Sequence, residues 1–322
     1  DLRARFSNAS AAKGIAQRLE QLGLRDSTGK AMGNRERKAG TDTEPGDLDQ
    51  AYRARGSHPG LVHLLSKSLP RSGHHHLVDM LSSLYGKAFD YCEYYQVPEA
   101  ECCKQEPCTR FCNPARFADR GGHVSMQKSH DFQLADPIMA GRHWLKYLVM
   151  TRDFSSAVQS EIKLLLIDRH AGFLAGHGID AKRLLQRHEK SLYRRALELI
   201  DGEGLRLPLA TIDTFLDERF VYYRHFARKW LQFARRHPTD ALVIRYDHLV
   251  GEHRRATVES LVAFIGIDPV VAIDRALADW PVLSIHDRKA EQSQAAAELV
   301  EARRGILSLY DGQLRRMQQH SG

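Results

Sequence analysis

The sequence has no long apolar run. Its longest uninterrupted apolar stretches, such as Tyr147 to Met150 and Leu164 to Ile167, are far shorter than the roughly 20 apolar residues that a membrane-spanning helix needs. We therefore expect no membrane span in this chain.

Cysteine is scarce outside one segment. All five cysteines lie between Cys92 and Cys112, and a chain of 322 residues can bury a large core without disulfides or metals. A small disulfide-stapled scaffold is therefore excluded. The spacing within residues 92–112 permits local disulfides, free thiols or a zinc site, but it lacks the paired C-x-x-C repeat of structural zinc sites. We expect this segment to be an insertion, and we expect no metal.

Large apolar residues are almost absent from residues 25–59. Helical spacing precedes this stretch, so residues 1–59 are predicted to form an N-terminal helix and a flexible linker before one domain at 60–322. Gly23 to Lys30 resembles a P-loop, but five residues separate its glycines and Ala31 follows the lysine, so it lacks the Walker spacing. The first residue, Asp1, indicates a fragment or processed product of a longer chain.

The chain also lacks a one-signed basic surface, although its net charge is +7 and its pI is near 9.2. Basic and acidic residues alternate along helical segments such as Asp217 to Arg236, which is typical of a solvated helix face. The charge is compatible with anionic ligands. We expect no nucleic-acid partner.

From Leu61 onward, short apolar runs alternate with segments of helical periodicity. This alternation predicts an α/β domain with a mainly parallel central sheet flanked by helices, whose ligands bind at the carboxyl ends of the strands. The predicted strands are Leu61–Leu69, Ala88–Tyr95, His123–Gln127, Trp144–Met150 and Leu242–Tyr246. The predicted helices are His74–Tyr85, Ser155–Ala171, Asp180–Ile200 and Leu209–His237, with helical pattern continuing after Tyr246.

The turn between the first strand and the first helix, Ser68 to His76, has the chemistry of an anion site. Gly73 lets the backbone approach a ligand, and the free N–H groups at a helix start attract negative charge. Arg71 adds a cation and Ser72 adds a hydroxyl.

Three segments in order resemble those of sulfotransferases, which use 3′-phosphoadenosine 5′-phosphosulfate (PAPS). SLPRSGHHHL resembles their 5′-phosphosulfate loop, which implies donor contacts from Arg71, Ser72, Gly73, His74 and His75; the two histidines replace the family's threonines. Arg152, with Ser160 eight positions later, is similar to the family's 3′-phosphate segment. Leu242–Leu249 followed by Phe264–Ile267 resembles the family's late strand and its Phe-Leu-Gly signature, so the resemblance covers about Leu61 to Asp268.

Val124 to Phe132 is similar to the Lys-Thr-His segment of cytosolic sulfotransferases. The resemblance implies that His130 is the base that deprotonates the acceptor, because an unperturbed histidine pKa of about 6.5 is near working pH. It implies that Lys128 stabilises charge on the transferring group and that Arg71 neutralises the leaving phosphate. Asp131 is an alternative, either orienting a histidine or acting as the base.

The resemblance as a whole implies a single sulfotransferase-type domain with a helix-rich middle and C-terminus. It implies PAPS as donor without a metal, and an unidentified hydroxyl or amine acceptor, with a glycan among the candidates. The cysteine-rich insertion falls where acceptor selection is expected. Two alternatives stay open: a phosphotransferase-like nucleotide enzyme, and an inactive anion-binding protein of the same fold. A cytoplasmic location is favoured, with the Golgi lumen expected if an N-terminal anchor lies upstream.

Overall fold

A computed structural model describes residues 60–93, 106–108, 123–131, 144–187, 190–278 and 293–319. Its centre is a five-stranded sheet in which all neighbouring strands are parallel, in the order β2-β3-β1-β4-β5. The strands are β1 (Leu61–Ser68), β2 (Phe89–Glu93), β3 (His123–Ser129), β4 (Leu145–Thr151) and β5 (Ala241–Arg245). The predicted α/β class with a parallel sheet is confirmed.

The helices fall into two groups along the chain. The first six are α1 (His74–Tyr85), α2 (Phe154–Arg169), α3 (Ala171–Gly176), α4 (Ala181–Arg187), α5 (Lys190–Gly202) and α6 (Leu209–Arg236). The next five are α7 (Tyr246–Val250), α8 (Arg254–Ile265), α9 (Ile273–Ala278), α10 (Gln294–Ala302) and α11 (Arg304–Gln319). A short 3-10 turn, Gly86–Ala88, links α1 to β2.

The sheet separates two hydrophobic layers because successive strand side chains point to opposite faces. Leu64 of β1 packs in one layer with residues of α1, α8 and α9. Its neighbour Leu65 packs in the other layer with residues of α2, α6 and α11. Both faces of β1 are therefore covered, which is why every residue of this central strand is buried, including the polar residues His63, Ser66, Lys67 and Ser68.

The predicted elements match the structure closely in the first half of the domain. β1, α1 and β4 each lie within one residue of the predicted bounds. Later in the chain, the predicted helix Asp180–Ile200 contains α4 and α5, while residues 188–189 lie outside the described residues. Tyr246 begins α7 instead of ending β5. The helical pattern predicted after Tyr246 is confirmed for the described residues. The predicted helix and linker at 1–59 lie outside them.

The described residues also bear on membrane-spanning helices and on the cysteines. No helix in the described ranges is both long enough and apolar enough to span a membrane. Cys92 is a buried free thiol and Cys108 is buried, whereas Cys102, Cys103 and Cys112 lie outside the described residues. The free-thiol alternative therefore holds for Cys92.

Candidate functional site

The predicted anion-binding turn has two residues in the left-handed region of backbone space. The Ser72 amide donates to the Leu69 carbonyl over 3.2 Å, which closes a turn across Pro70 and Arg71. Arg71 has φ 58° and Gly73 has φ 83°. Positive φ is costly for a residue with a Cβ, so the structure around Arg71 must hold it there.

Gly73 begins α1 and cannot be replaced without a collision. No side chain hydrogen-bonds to cap α1, and its first turn has no acidic residue, so the positive end of the helix dipole is not neutralised locally. A Cβ on Gly73 would overlap the ring of Tyr246. The close approach of Tyr246 results from strand order: β5 lies beside β4, and β4 lies beside β1, so the ends of β1 and β5 are two strands apart.

Arg71, Arg152 and Ser160 meet at this turn, as the sequence predicts for one ligand site. Arg71 Nε donates to Ser160 Oγ over 2.8 Å. Arg152 Nη1 donates to the Arg71 carbonyl, also over 2.8 Å. The Arg152 guanidinium lies 4.6 Å from the centre of the Tyr246 ring. The Arg71 guanidinium has further N–H donors and the Ser160 hydroxyl has its own hydrogen, so both residues can contact a nucleotide while this hydrogen bond is kept.

Three buried polar atoms near the turn have no hydrogen-bond partner among the described residues: Ser72 Oγ, His74 Nε2 and Thr151 Oγ1. Ser72 is 1% exposed and Thr151 is 3% exposed. Leaving a buried polar group unsatisfied costs about 1–3 kcal/mol, and such groups call for an explanation by function, water or an ion. Their position at the ends of β1 and β4 fits a site that a polar ligand completes.

Lys128 and Glu93 form an ion pair across the neighbouring strand ends. Lys128 Nζ lies 2.5 Å from Glu93 Oε1, because β2 and β3 pair with these two residues in register. Burial alone would raise the pKa of Glu93, but Lys128 outweighs it and lowers the pKa of that carboxyl. Glu93 therefore neutralises the cation that the resemblance assigns to charge stabilisation.

His130 lies at the end of β3, partly buried beside β1. Its Nδ1 is 2.9 Å from the Ser68 carbonyl, so Nδ1 carries the hydrogen and Nε2 holds the lone pair. Burial, reinforced by Lys128, lowers the pKa of His130 to about 3. The expectation of a histidine that titrates near neutral pH is therefore wrong here: His130 is a neutral imidazole over the physiological range. Its lone pair is always available, but as a weaker base than an unperturbed histidine.

Asp131 does not orient a histidine through its paired oxygen. Asp131 Oδ2 accepts from Lys229 Nζ and from Trp230 Nε1, each over 2.7 Å. These contacts join the end of β3 to α6. Asp131 also has φ 49°, so among the described non-glycine residues it shares positive φ only with Arg71. The alternative assignment of Asp131 as the base is weakened, because its carboxylate already pairs with a lysine.

Helix α6 also contacts the turn after β1 through Tyr223, and the sequence did not predict this contact. Tyr223 Oη lies within hydrogen-bond distance of the Pro70 carbonyl, at 3.2 Å, and of Glu161 Oε1, at 3.1 Å. Glu161 pairs with Arg219 over 2.7 Å. Burial raises the pKa of Glu161 against the opposing effect of Arg219. The only sequence signal for this support was the helical periodicity of α6.

The two predicted donor-loop histidines, His74 and His75, are the first residues of α1. His74 is buried with Nδ1 3.2 Å from Ser66 Oγ, and burial lowers its pKa well below the ordinary value. His75 is exposed at the start of α1. Lys67, in β1, forms an ion pair with Glu106.

Two basic residues late in the chain have acidic partners. Arg303 pairs with Asp213 and Arg304 with Glu301, so both guanidiniums are engaged in ion pairs.

The residues that meet at the carboxyl edge of the sheet are called the strand-end site below. They are Arg71, Ser72, Gly73, Lys128, His130, Arg152 and Ser160. The site combines two guanidiniums, an open helix start and a neutral imidazole, which together suit an anionic ligand and a proton acceptor. Among the described residues, no cluster of His, Cys, Asp or Glu could hold a metal ion.

Comparison of the chain with models of known protein families found no match, and comparison with curated proteins found none either.

Proposed function

We propose that the protein is a sulfotransferase that moves a sulfuryl group from PAPS to a hydroxyl or amine acceptor. The observation that carries the proposal is the convergence of the strand-end site. Arg71 lies in the turn after β1, Arg152 directly follows β4 and Ser160 lies in α2, yet consecutive hydrogen bonds join them. Lys128 and His130 lie at the end of the strand next to β1. The proposal therefore assigns donor binding and acceptor activation to residues at one edge of the sheet.

In this proposal, charged residues bind the phosphate and sulfate groups of PAPS, and the neutral His130 accepts a proton. Arg152 and Ser160 bind the 3′-phosphate, and Arg71 with the start of α1 binds the 5′-phosphosulfate. The bond between sulfur and the bridging phosphate oxygen breaks while a bond to the acceptor oxygen or nitrogen forms. His130 Nε2 takes the acceptor proton, and Arg71 neutralises the negative charge that remains on adenosine 3′,5′-bisphosphate.

In the proposal, Lys128 stabilises charge on the transferring sulfuryl group. Its charge is balanced by Glu93 at 2.5 Å, and it can stabilise the transferring group only if it leaves that carboxylate or shares its donors. An ammonium group has three donors, so sharing requires no change in the ion pair.

The same ion pair favours a second candidate: an anion-binding protein that holds a 3′-phosphorylated nucleotide without transferring its sulfuryl group. A neutralised Lys128 and a weakly basic His130 both reduce the catalytic power of the site. Mass spectrometry of hydroxyl and amine acceptors incubated with PAPS distinguishes the two. Sulfated product supports transfer, whereas binding with no product from any acceptor supports the second candidate.

The first prediction tests the nucleotide site itself. Adenosine 3′,5′-bisphosphate should raise the melting temperature in the presence of a chelator, because the protein's own cations meet its charges. Adenosine 5′-monophosphate, which lacks the 3′-phosphate, should raise it less. In Arg152→Ala the difference between the two nucleotides should vanish.

Arg169→Ala is the matched control for this prediction, since Arg169 is an exposed arginine on the same α2 helix. It should keep the wild-type preference. No stabilisation by millimolar bisphosphate would contradict the proposed function, and equal loss with both nucleotides in Arg152→Ala would place Arg152 away from the 3′-phosphate.

A further inference from the structure

A groove between α6 and α11 lies outside the strand-end site. Its volume is about 450 Å3, which is within the usual range for ligand sites. The groove is lined by Ala227, Arg228, Gln232, Arg235, Gln313, Arg316 and Met317. No acidic residue is among these lining residues, so the groove is positively charged along its length.

The arginines are arranged along the groove and not gathered at one point. Arg228 and Arg235 are seven residues apart on α6, which places them on one helix face roughly 10 Å apart along the axis. Arg316 faces them from α11. Arg228 and Arg316 are exposed and form no ion pair with any other described residue. A ligand with acidic groups at intervals would meet these cations in turn.

The other lining residues indicate which chemical groups of the ligand would lie between its acidic groups. Gln232 and Gln313 each carry an amide that donates and accepts hydrogen bonds. Met317 is partly exposed and provides an apolar surface on which the C–H face of a sugar ring can pack, whereas Ala227 is buried. We propose that this groove binds a linear acidic oligosaccharide, with its sulfate or carboxylate groups on the arginines and its hydroxyls on the glutamines.

A nucleic acid fits the groove less well. Single strands bind through bases stacked on aromatic side chains, and none of the lining residues is aromatic. The proposal does not depend on sulfuryl transfer, although Ala227 also lines the small cavity that reaches Arg152.

The test is direct binding of a heparin hexasaccharide to the full chain without nucleotide, measured by calorimetry at fixed salt. The double variant Arg228→Gln/Arg316→Gln should weaken binding by roughly tenfold or more, as expected for lost charge-assisted hydrogen bonds. The double variant Arg169→Gln/Arg195→Gln removes the same charge from exposed positions on α2 and α5. It should retain affinity within roughly threefold. Circular dichroism establishes that each variant is folded.

Two further probes decide the class of ligand. An uncharged maltohexaose should not bind measurably, and a dT oligonucleotide of matched charge should bind more weakly than the hexasaccharide. Absence of hexasaccharide binding, or equal weakening in the two double variants, would overturn the proposal. Tighter oligonucleotide binding that depends on Arg228 and Arg316 would also overturn it in favour of a nucleic-acid partner.

Discussion

At the scale of single residues, the strand-end site depends on positions with little freedom to change. Gly73 combines φ 83° with a neighbouring Tyr246 ring that leaves no room for a Cβ. His130 is restricted differently, since a carbonyl at 2.9 Å holds its Nδ1 proton and its surroundings keep the ring neutral. The first restriction concerns shape and the second concerns protonation, and they make separate predictions.

Gly73→Ala should both destabilise the protein and abolish nucleotide binding. Positive φ costs of order 1 kcal/mol or more for alanine, and displacement of Tyr246 adds to it and disturbs Arg152. Gly178→Ala is the control, because Gly178 has φ 74° but a Cβ added there would meet nothing within 4 Å. Urea unfolding should show a larger loss for Gly73→Ala. Equal losses would mean that Tyr246 imposes no constraint.

His130→Ala should lower turnover by roughly 10²-fold or more while nucleotide affinity is nearly retained, as expected for a positioned base. The pH dependence follows from the lowered pKa of about 3: the basic form exists at every pH above that value. The rate should therefore not fall through titration of His130 between pH 8 and 5. A break near pH 6.5 that disappears in His130→Gln would show that the imidazole titrates as an exposed histidine does.

At the scale of elements, α6 connects the site to the hydrophobic layer beneath it. Tyr222 Oη donates to the His130 carbonyl, and Tyr223 contacts the Pro70 carbonyl. Further along the helix, Lys229 and Trp230 hold Asp131. One helix thus contacts the segments after both β1 and β3. Its aromatic residues serve the core and the site together.

Asp131→Asn tests whether Asp131 is structural or chemical. Losing the charge partner of Lys229 at a buried position should lower the unfolding free energy by roughly 1–3 kcal/mol. Turnover by the folded protein should stay within roughly tenfold of wild type, since we assign no proton transfer to Asp131. Asp168→Asn, an exposed carboxylate on α2, should change neither quantity. Abolished turnover at unchanged stability would make Asp131 the base in place of His130.

At the scale of the whole molecule, two layers share one parallel sheet, and the ion pairs at its carboxyl edge make its stability depend on pH. The pKa of Glu93 is lowered below its ordinary value of 4.5, with Lys128 opposing the effect of burial. A lowered carboxyl pKa adds stability that is present above the unfolded value. That stability is lost as the pH falls through the folded value.

Glu93→Gln should therefore reduce the unfolding free energy at pH 7, and its difference from wild type should shrink as the pH is lowered from 5 to 3. Urea unfolding at several pH values measures this difference. Glu203→Gln is the control, because Glu203 is exposed and has no ion pair within the described part of the chain. A gap between wild type and Glu93→Gln that is independent of pH would show that Lys128 does not stabilise the ionised carboxylate.

Much of the architecture was determined by local pattern. Apolar runs of strand length, Gly73 after a strand, and helical spacing from Leu77 to Leu84 predict β1, the turn and α1 because each depends on neighbours in sequence. The parallel sheet then brings Arg71, Lys128, His130 and Arg152 to one edge, since parallel strands end on the same side. Proximity of these residues therefore followed from the sequence.

Protonation and pairing were decided only by the tertiary structure. Lys128 is 35 residues from Glu93 and Lys229 is 98 residues from Asp131, and nothing in either segment identifies its partner. His130 looked like an ordinary titrating histidine because its pKa depends on burial and on the charge of Lys128, which are properties of its surroundings. Tyr246 likewise packs against Gly73 only because β5 joins the sheet next to β4. Residue type and spacing specify which groups reach the edge, whereas the packed fold sets their charges and their contacts.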